Sequence, residues 1–158
     1  MSDMSSIDID ICCLASLKAE IENMRRGRSN SRDKPHKLMM LLAVLDLADQ
    51  GLLQENKIYL DGLLIRLFEE NYTKFAGGGD WCQPGPPFFH LRSASFWHHK
   101  IIPGRDKEYA EIKTSGGGLK RISDNIEYAY LDEAAFQQVT NTEIRTELRD
   151  LIEALLKG

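Results

Sequence analysis

The sequence is poor in cysteine, in histidine and in long apolar runs, and each shortage removes a class of function. Cys12, Cys13 and Cys82 are an odd number, two of them adjacent, with no Cys-x-x-Cys pair. Neither a disulfide framework nor a zinc site is expected from them. No apolar stretch approaches the roughly 20 residues that span a bilayer. Asp3, Asp8 and Asp10 precede the first short apolar stretch, the wrong charge for a secretory signal. A reducing cytoplasmic setting with no membrane attachment is therefore expected. The four histidines are His36, His90, His98 and His99, and none completes a catalytic set. His98-His99 lacks the downstream Asn and His of a His-Asn-His nuclease. Gly116-Gly-Gly-Leu-Lys120 lacks the spacing and Ser/Thr of a phosphate-binding P-loop and reads as a turn. Asp106 with Glu111-Ile-Lys113 matches part of a Mg²⁺-nuclease pattern, but a Glu-x-Lys triplet arises readily by chance in a chain with 28% charged residues. The chain is expected to be no enzyme and to need no metal or cofactor.

What is present is ordinary in bulk and uneven in detail. The 158 residues suit a single domain over 1–158, with 42% hydrophobic residues to build a core. The net charge of −4 conceals two opposed segments. Between Arg25 and Lys37 six basic residues, Arg25, Arg26, Arg28, Arg32, Lys34 and Lys37, face the single acid Asp33, a local net of +5, with His36 beside them. From Ile122 to Gly158 eight acids face three bases, a net of −5. A mildly acidic protein can thus still present a positive face to a polyanion, because local field steers association.

Periodicity predicts a mostly helical chain. Ile11, Leu14, Leu17, Ile21 and Met24 recur at helical spacing and predict an amphipathic helix over roughly 8–26. A second helix is expected from Pro35 to about Gln50, stopped by Gly51. It is apolar on most sides and so the most buried element. Lys57–Leu60 reads as a short strand or an extended entry to the next helix. Asp61 can cap a third helix to about Phe75, with Leu64, Leu67, Phe68 and Tyr72 inward. Gly77–Pro87 is too rich in Gly and Pro to predict regular structure. Phe88–Leu91 and Phe96–Ile102, separated by Arg92-Ser-Ala-Ser, read as a small hairpin. Helices over Leu131–Val139 and Thr142–Leu156 close the chain. The expected class is α+β, predominantly α-helical: a compact helical domain with a small β-hairpin.

Two features suggest nucleic acid. The basic run feeds into the N-terminus of the second helix, placing His36 and Lys37 in its first turn. Cations there oppose the helix dipole, a local conflict that a bound polyanion relieves. Arg25, Arg26, Arg28, Arg32, Lys34, His36 and Lys37 are the expected DNA-contacting residues. The second feature is Pro84-Gly-Pro-Pro-Phe-Phe-His90, read as a stiff, extended loop offering apolar ring faces to solvent. Its structural explanation, a rigid turn into a core strand, would bury only one of Phe88 and Phe89. A stiff apolar loop beside a basic run suits a ligand that is anionic yet partly non-polar. A generic duplex-DNA regulator, with the second and third helices arranged as a helix-turn-helix, is the alternative.

Three blocks, Arg32-Asp-Lys-Pro-His-Lys-Leu-Met-Met-Leu-Leu, Pro86-Pro-Phe-Phe-His-Leu and Phe96-Trp97, resemble the sulfur-binding domain of modification-dependent HNH restriction endonucleases. The resemblance covers roughly residues 8–156. The sequence departs from that pattern at Leu38, where the family often has proline, and at Pro86-Pro87, where it often has Tyr-Pro. The resemblance implies recognition of phosphorothioate-modified double-stranded DNA in type IV restriction and bacterial defence, with cleavage supplied by a fused nuclease domain or a partner subunit. It implies a pocket with Pro87 as the apolar ring face, Pro86 and His90 at its sides, and Arg32, His36 and Lys37 as polar and cationic partners. Sulfur suits such a cup because it is larger, more polarisable and more weakly hydrated than the oxygen it replaces.

Overall fold

The computed structural model describes residues 6–26, 36–76, 82–112 and 118–157. In chain order the elements are α1 (Ser6–Arg26), α2 (His36–Asp49), α3 (Gly62–Ala76), α4 (Gly85–His90), a 3₁₀ turn (Leu91–Ser93), β1 (Trp97–Ile101), α5 (Asp106–Ala110), α6 (Gly118–Asn125), β2 (Ile126–Leu131), α7 (Glu133–Val139) and α8 (Thr142–Lys157). The class is the expected one, α+β and predominantly helical, with one small antiparallel sheet. Among the described residues no helix is long and apolar enough to cross a membrane.

α2 is the central element. Every residue from Leu38 to Leu45 is buried, because α1, α3, α4 and α8 all pack against it. It ends as Gly51 predicts: the φ of 73° is one that glycine adopts without a Cβ clash. The Leu52 N–H then bonds to the Leu47 carbonyl at 2.9 Å and the Gly51 N–H to that of Ala48 at 3.0 Å, which satisfies two orphan carbonyls. α3 starts on its expected cap, with Asp61 Oδ1 accepting the Leu64 N–H at 3.0 Å. Leu64, Leu67, Phe68 and Tyr72 are buried along it. Asn141 caps α8 in the same way, through the Ile144 N–H at 3.0 Å.

The sheet differs from expectation in its pairing. β1 pairs with β2, with Trp97 opposite Leu131, His98 opposite Tyr130, His99 opposite Ala129 and Lys100 opposite Tyr128. Phe88–Leu91 is not the partner strand; it belongs to α4 and the 3₁₀ turn. Leu131 ends β2 rather than opening a helix, so α7 begins two residues later. A register irregularity between Lys100 and Ile101 leaves Glu127 without a partner on β1. The other edge of β2 is closed by Ile58, which exchanges two backbone bonds with Ala129 at 2.7 and 2.8 Å. Asn56 extends this edge: its amide nitrogen donates to the Leu131 carbonyl at 2.6 Å and its oxygen accepts the Leu131 N–H at 2.9 Å. A side-chain amide thus substitutes for a strand backbone, and of the Lys57–Leu60 segment only Ile58 pairs with β2, as an isolated bridge.

Candidate nucleic-acid interface

The Pro84–His90 segment is helical rather than extended, and the reason lies in where its prolines fall. Pro84 is the cap residue with αR backbone angles, and Pro86 and Pro87 occupy the first turn of α4. N–H groups in a first turn have no intrahelical partner, so prolines there cost no hydrogen bond. Gly85 packs closely on α6: a Cβ there would meet Ile122 Cδ1 at 3.2 Å, so that side chain would have to give by a few tenths of an ångström. Because α4 is helical, the period-two rule does not apply, and Phe88 and Phe89 are both buried. Pro87 is buried and Pro86 half-buried, the reverse of the exposure expected for a Pro87 ring face.

Below α4 the two phenylalanines rest on β1. Trp97, fully buried, meets Phe88 edge to face with ring centres 5.7 Å apart and donates its indole N–H to the Phe88 carbonyl at 3.1 Å. His99 stacks on Phe88 and Phe89, at 5.8 and 5.6 Å. Its Nδ1 lies 2.8 Å from the Tyr109 hydroxyl and its Nε2 lies 3.3 Å from the Phe88 carbonyl. Burial pushes the His99 pKa down to about 4, so the ring is neutral at physiological pH. One arrangement satisfies every group. His99 Nε2–H donates to Phe88, Nδ1 accepts the Tyr109 O–H, and the Tyr109 oxygen accepts the Arg92 guanidinium N–H at 3.1 Å.

That chain ends on an exposed cation. The Arg92 guanidinium lies 4.1 Å from the Phe89 ring centre and 5.4 Å from that of Tyr109, within cation–π range. Among the described residues no carboxylate lies within ion-pair distance of it. One residue on, Ser93 Oγ accepts a hydrogen bond from Lys37 Nζ at 3.1 Å. The end of the basic run and the Pro-Phe-Phe-His segment, 56 residues apart in this bond, thus meet in space. Half-buried His90 is close enough to both cations to feel their charge. Burial first, then the charges of Lys37 and Arg92, lower its pKa from the ordinary 6.5.

The remaining expected residues are placed as follows. Arg25 and Arg26 close α1. Arg28, Arg32 and Lys34 lie outside the described residues. His36 opens α2, but its ring is 6.4 Å from Phe68 and 5.6 Å from Tyr72, so it packs on α3. Lys37 and His90 are brought together at the C-terminal end of α4, while Pro86 lies in its first turn; Arg92, Ser93 and Tyr109, not singled out in the sequence, join that end, as does His99, weighed there only as part of His98-His99. The signal for Arg92 was its place two residues after His90, read only as part of a turn. Asp106 and Glu111 lie on α5 and its C-terminal cap, not on a strand, and Lys113 lies outside the described residues. No group of three or more metal-ligating side chains occurs among the described residues. Compared with known proteins, the chain matches no family model and no curated protein.

Proposed function

We propose that this chain is a non-catalytic reader of double-stranded DNA, and that the DNA it selects is phosphorothioate-modified. The observation that carries the reading is the Lys37–Ser93 contact, which sets a basic helix entry beside a helix rich in proline and phenylalanine. Lys37 and Arg92 supply phosphate contacts, and the stacking of Arg92 on Phe89 and Tyr109 pre-orders a guanidinium for a bidentate anion contact. Half-buried His90, whose proton affinity is lowered by burial and by those cations, offers a weakly polar wall beside them, with half-buried Pro86 about one turn earlier on α4. A thiophosphate sulfur loses less hydration there than an oxygen would.

The helix-turn-helix alternative has less support. α2 is buried on all sides from Leu38 to Leu45 and cannot enter a groove. α3 turns Glu69 and Glu70 outward, and its Arg66 pairs with Glu70. In this reading a fused or partner nuclease performs cleavage in cytoplasmic restriction of modified DNA.

A titration of matched duplexes, one with the correct sulfur stereoisomer and one unmodified, tests the proposal. Tighter binding of the modified duplex by about tenfold or more is expected, and equal affinities would overturn sulfur selectivity. Arg92→Ala and Lys37→Ala should weaken both duplexes, each lowering the log–log salt slope by about 0.9. Pro86→Ala should narrow the difference between the two.

A further inference from the structure

The opposite face of the sheet carries a second set of chemistry. Trp97 and His99 of β1 point to α4; strand alternation sends His98 and Lys100 the other way. Residues directly opposite each other across an antiparallel pair share a face, so His98 and Lys100 lie with their partners Tyr130 and Tyr128. Tyr59 joins from the neighbouring edge, its ring 5.6 Å from that of Tyr128, and Tyr128 is 6.3 Å from Tyr130. His98 lies 5.2 Å from Tyr130. The result is a continuous row of four rings. Tyr59 and Tyr130, at 45% and 36% exposure, are two of the four large hydrophobic side chains left exposed among the described residues. Packing explains the inner rings but gives no reason for an aromatic row on the wet side of a sheet.

The charges around the row decide what suits it. Lys57 Nζ sits 5.4 Å from the Tyr128 ring centre, and Lys100 projects beside the same ring from β1. Among the described residues neither lysine forms an ion pair, whereas Lys18, Lys120, Arg145 and Arg149 each do. Two carboxylates are close. Asp132 is engaged by His98 Nε2 at 2.6 Å, and Glu127 occupies the bulge of β2 beyond the row. Open rings alternating with unpaired ammonium groups are the pattern that stacks bases and holds a flexible phosphate backbone. A duplex hides its base faces and could not use such a row.

We infer that the outer sheet face is a binding surface for single-stranded nucleic acid, with bases stacking on Tyr59 and Tyr130 and phosphates held by Lys57 and Lys100. It is separate from the proposed duplex surface, because the sheet itself lies between them. Fluorescence anisotropy of a labelled twelve-residue oligothymidylate tests it. Tyr59→Ala and Tyr130→Ala should each weaken binding by about tenfold, Tyr59→Phe should preserve it, and Arg92→Ala should leave it unchanged. Replacing both Lys57 and Lys100 by Ala should flatten the salt slope by about 1.4. Photo-crosslinking of wild-type protein to a bromouracil-substituted strand gives a readout that needs no variant to fold, and adducts are expected at Tyr59 or Tyr130. Failure to bind the oligomer, loss of binding in Arg92→Ala but not Tyr59→Ala, or crosslinks confined to other surfaces would each overturn the inference. Duplex affinity is measured in parallel, so the proposed duplex function stands or falls on its own data.

Discussion

At the scale of single residues, the proposed interface depends on a histidine that would touch no ligand. His99 joins Arg92, through Tyr109, to the backbone of α4, and the arrangement requires a neutral ring. Its pKa is about 4 in the folded chain against an ordinary 6.5, so between those values the unfolded chain binds more protons. Stability from this group is therefore fully present above about pH 6.5 and is lost as pH falls towards 4, with no further loss below that. The whole effect amounts to about 3 kcal/mol. Urea titrations at pH 7, 5.5 and 4 should show this slope, and His99→Gln should reduce it. A slope unaffected by the substitution would mean that other groups carry the acid sensitivity. None of this was legible in the sequence, where His98-His99 differs from a surface pair only through burial that the fold imposes.

Secondary-structure elements show a second pattern, most clearly in α2. Its last turns carry Asp46 and Asp49, which oppose the helix dipole, as Lys37 does at the other end. α8 answers the acidic end: Arg149 pairs with Asp46 at 2.9 Å and also with Asp49, and buried Arg145 bonds Asp49 and the Val139 carbonyl, the latter at 3.0 Å. Arg145→Met keeps the volume but strands that carbonyl and weakens the charge pairing. A loss of about 1–3 kcal/mol is expected, read as a lower urea midpoint; Arg149→Met should cost less. An unchanged midpoint for Arg145→Met would show the pairing to be dispensable. α1, α2, α3 and α8 were legible because caps, glycine stops and helical spacing agreed. α4 was not, because prolines break helices everywhere except in the first turn, and composition does not reveal a turn's position. α6 was hidden similarly behind glycines. β2 was missed because its bulge at Glu127 interrupts the alternation that marks a strand.

For the whole molecule, stability concentrates in one place. Met40 and Leu42 are fully buried at the middle of α2, where four other helices meet. Met40→Ala should cost about 2–5 kcal/mol, and unfolding followed by circular dichroism and by tryptophan emission should shift together. Two separate transitions would show that part of the structure is independent of α2. Overall charge gave no guide to the proposed interface, since the −4 total averages a basic entry to α2 with an acidic last quarter of the sequence. The block Pro86–Leu91 that carries the resemblance lies in α4 and the turn after it, where the helical form and the burial of Pro87 alter the shape that the resemblance implies.

The all-round burial of α2 also bears on how the protein is made. On the ribosome α2 emerges early, while α8, which covers one side of it, follows about 90 residues later. At the usual elongation rate of ~5–20 residues per second, that delay is about 5–20 s. For that interval the nascent chain carries a helix that is apolar on nearly every side and incompletely covered, so its yield in the cell depends on what shields that helix until α8 has emerged.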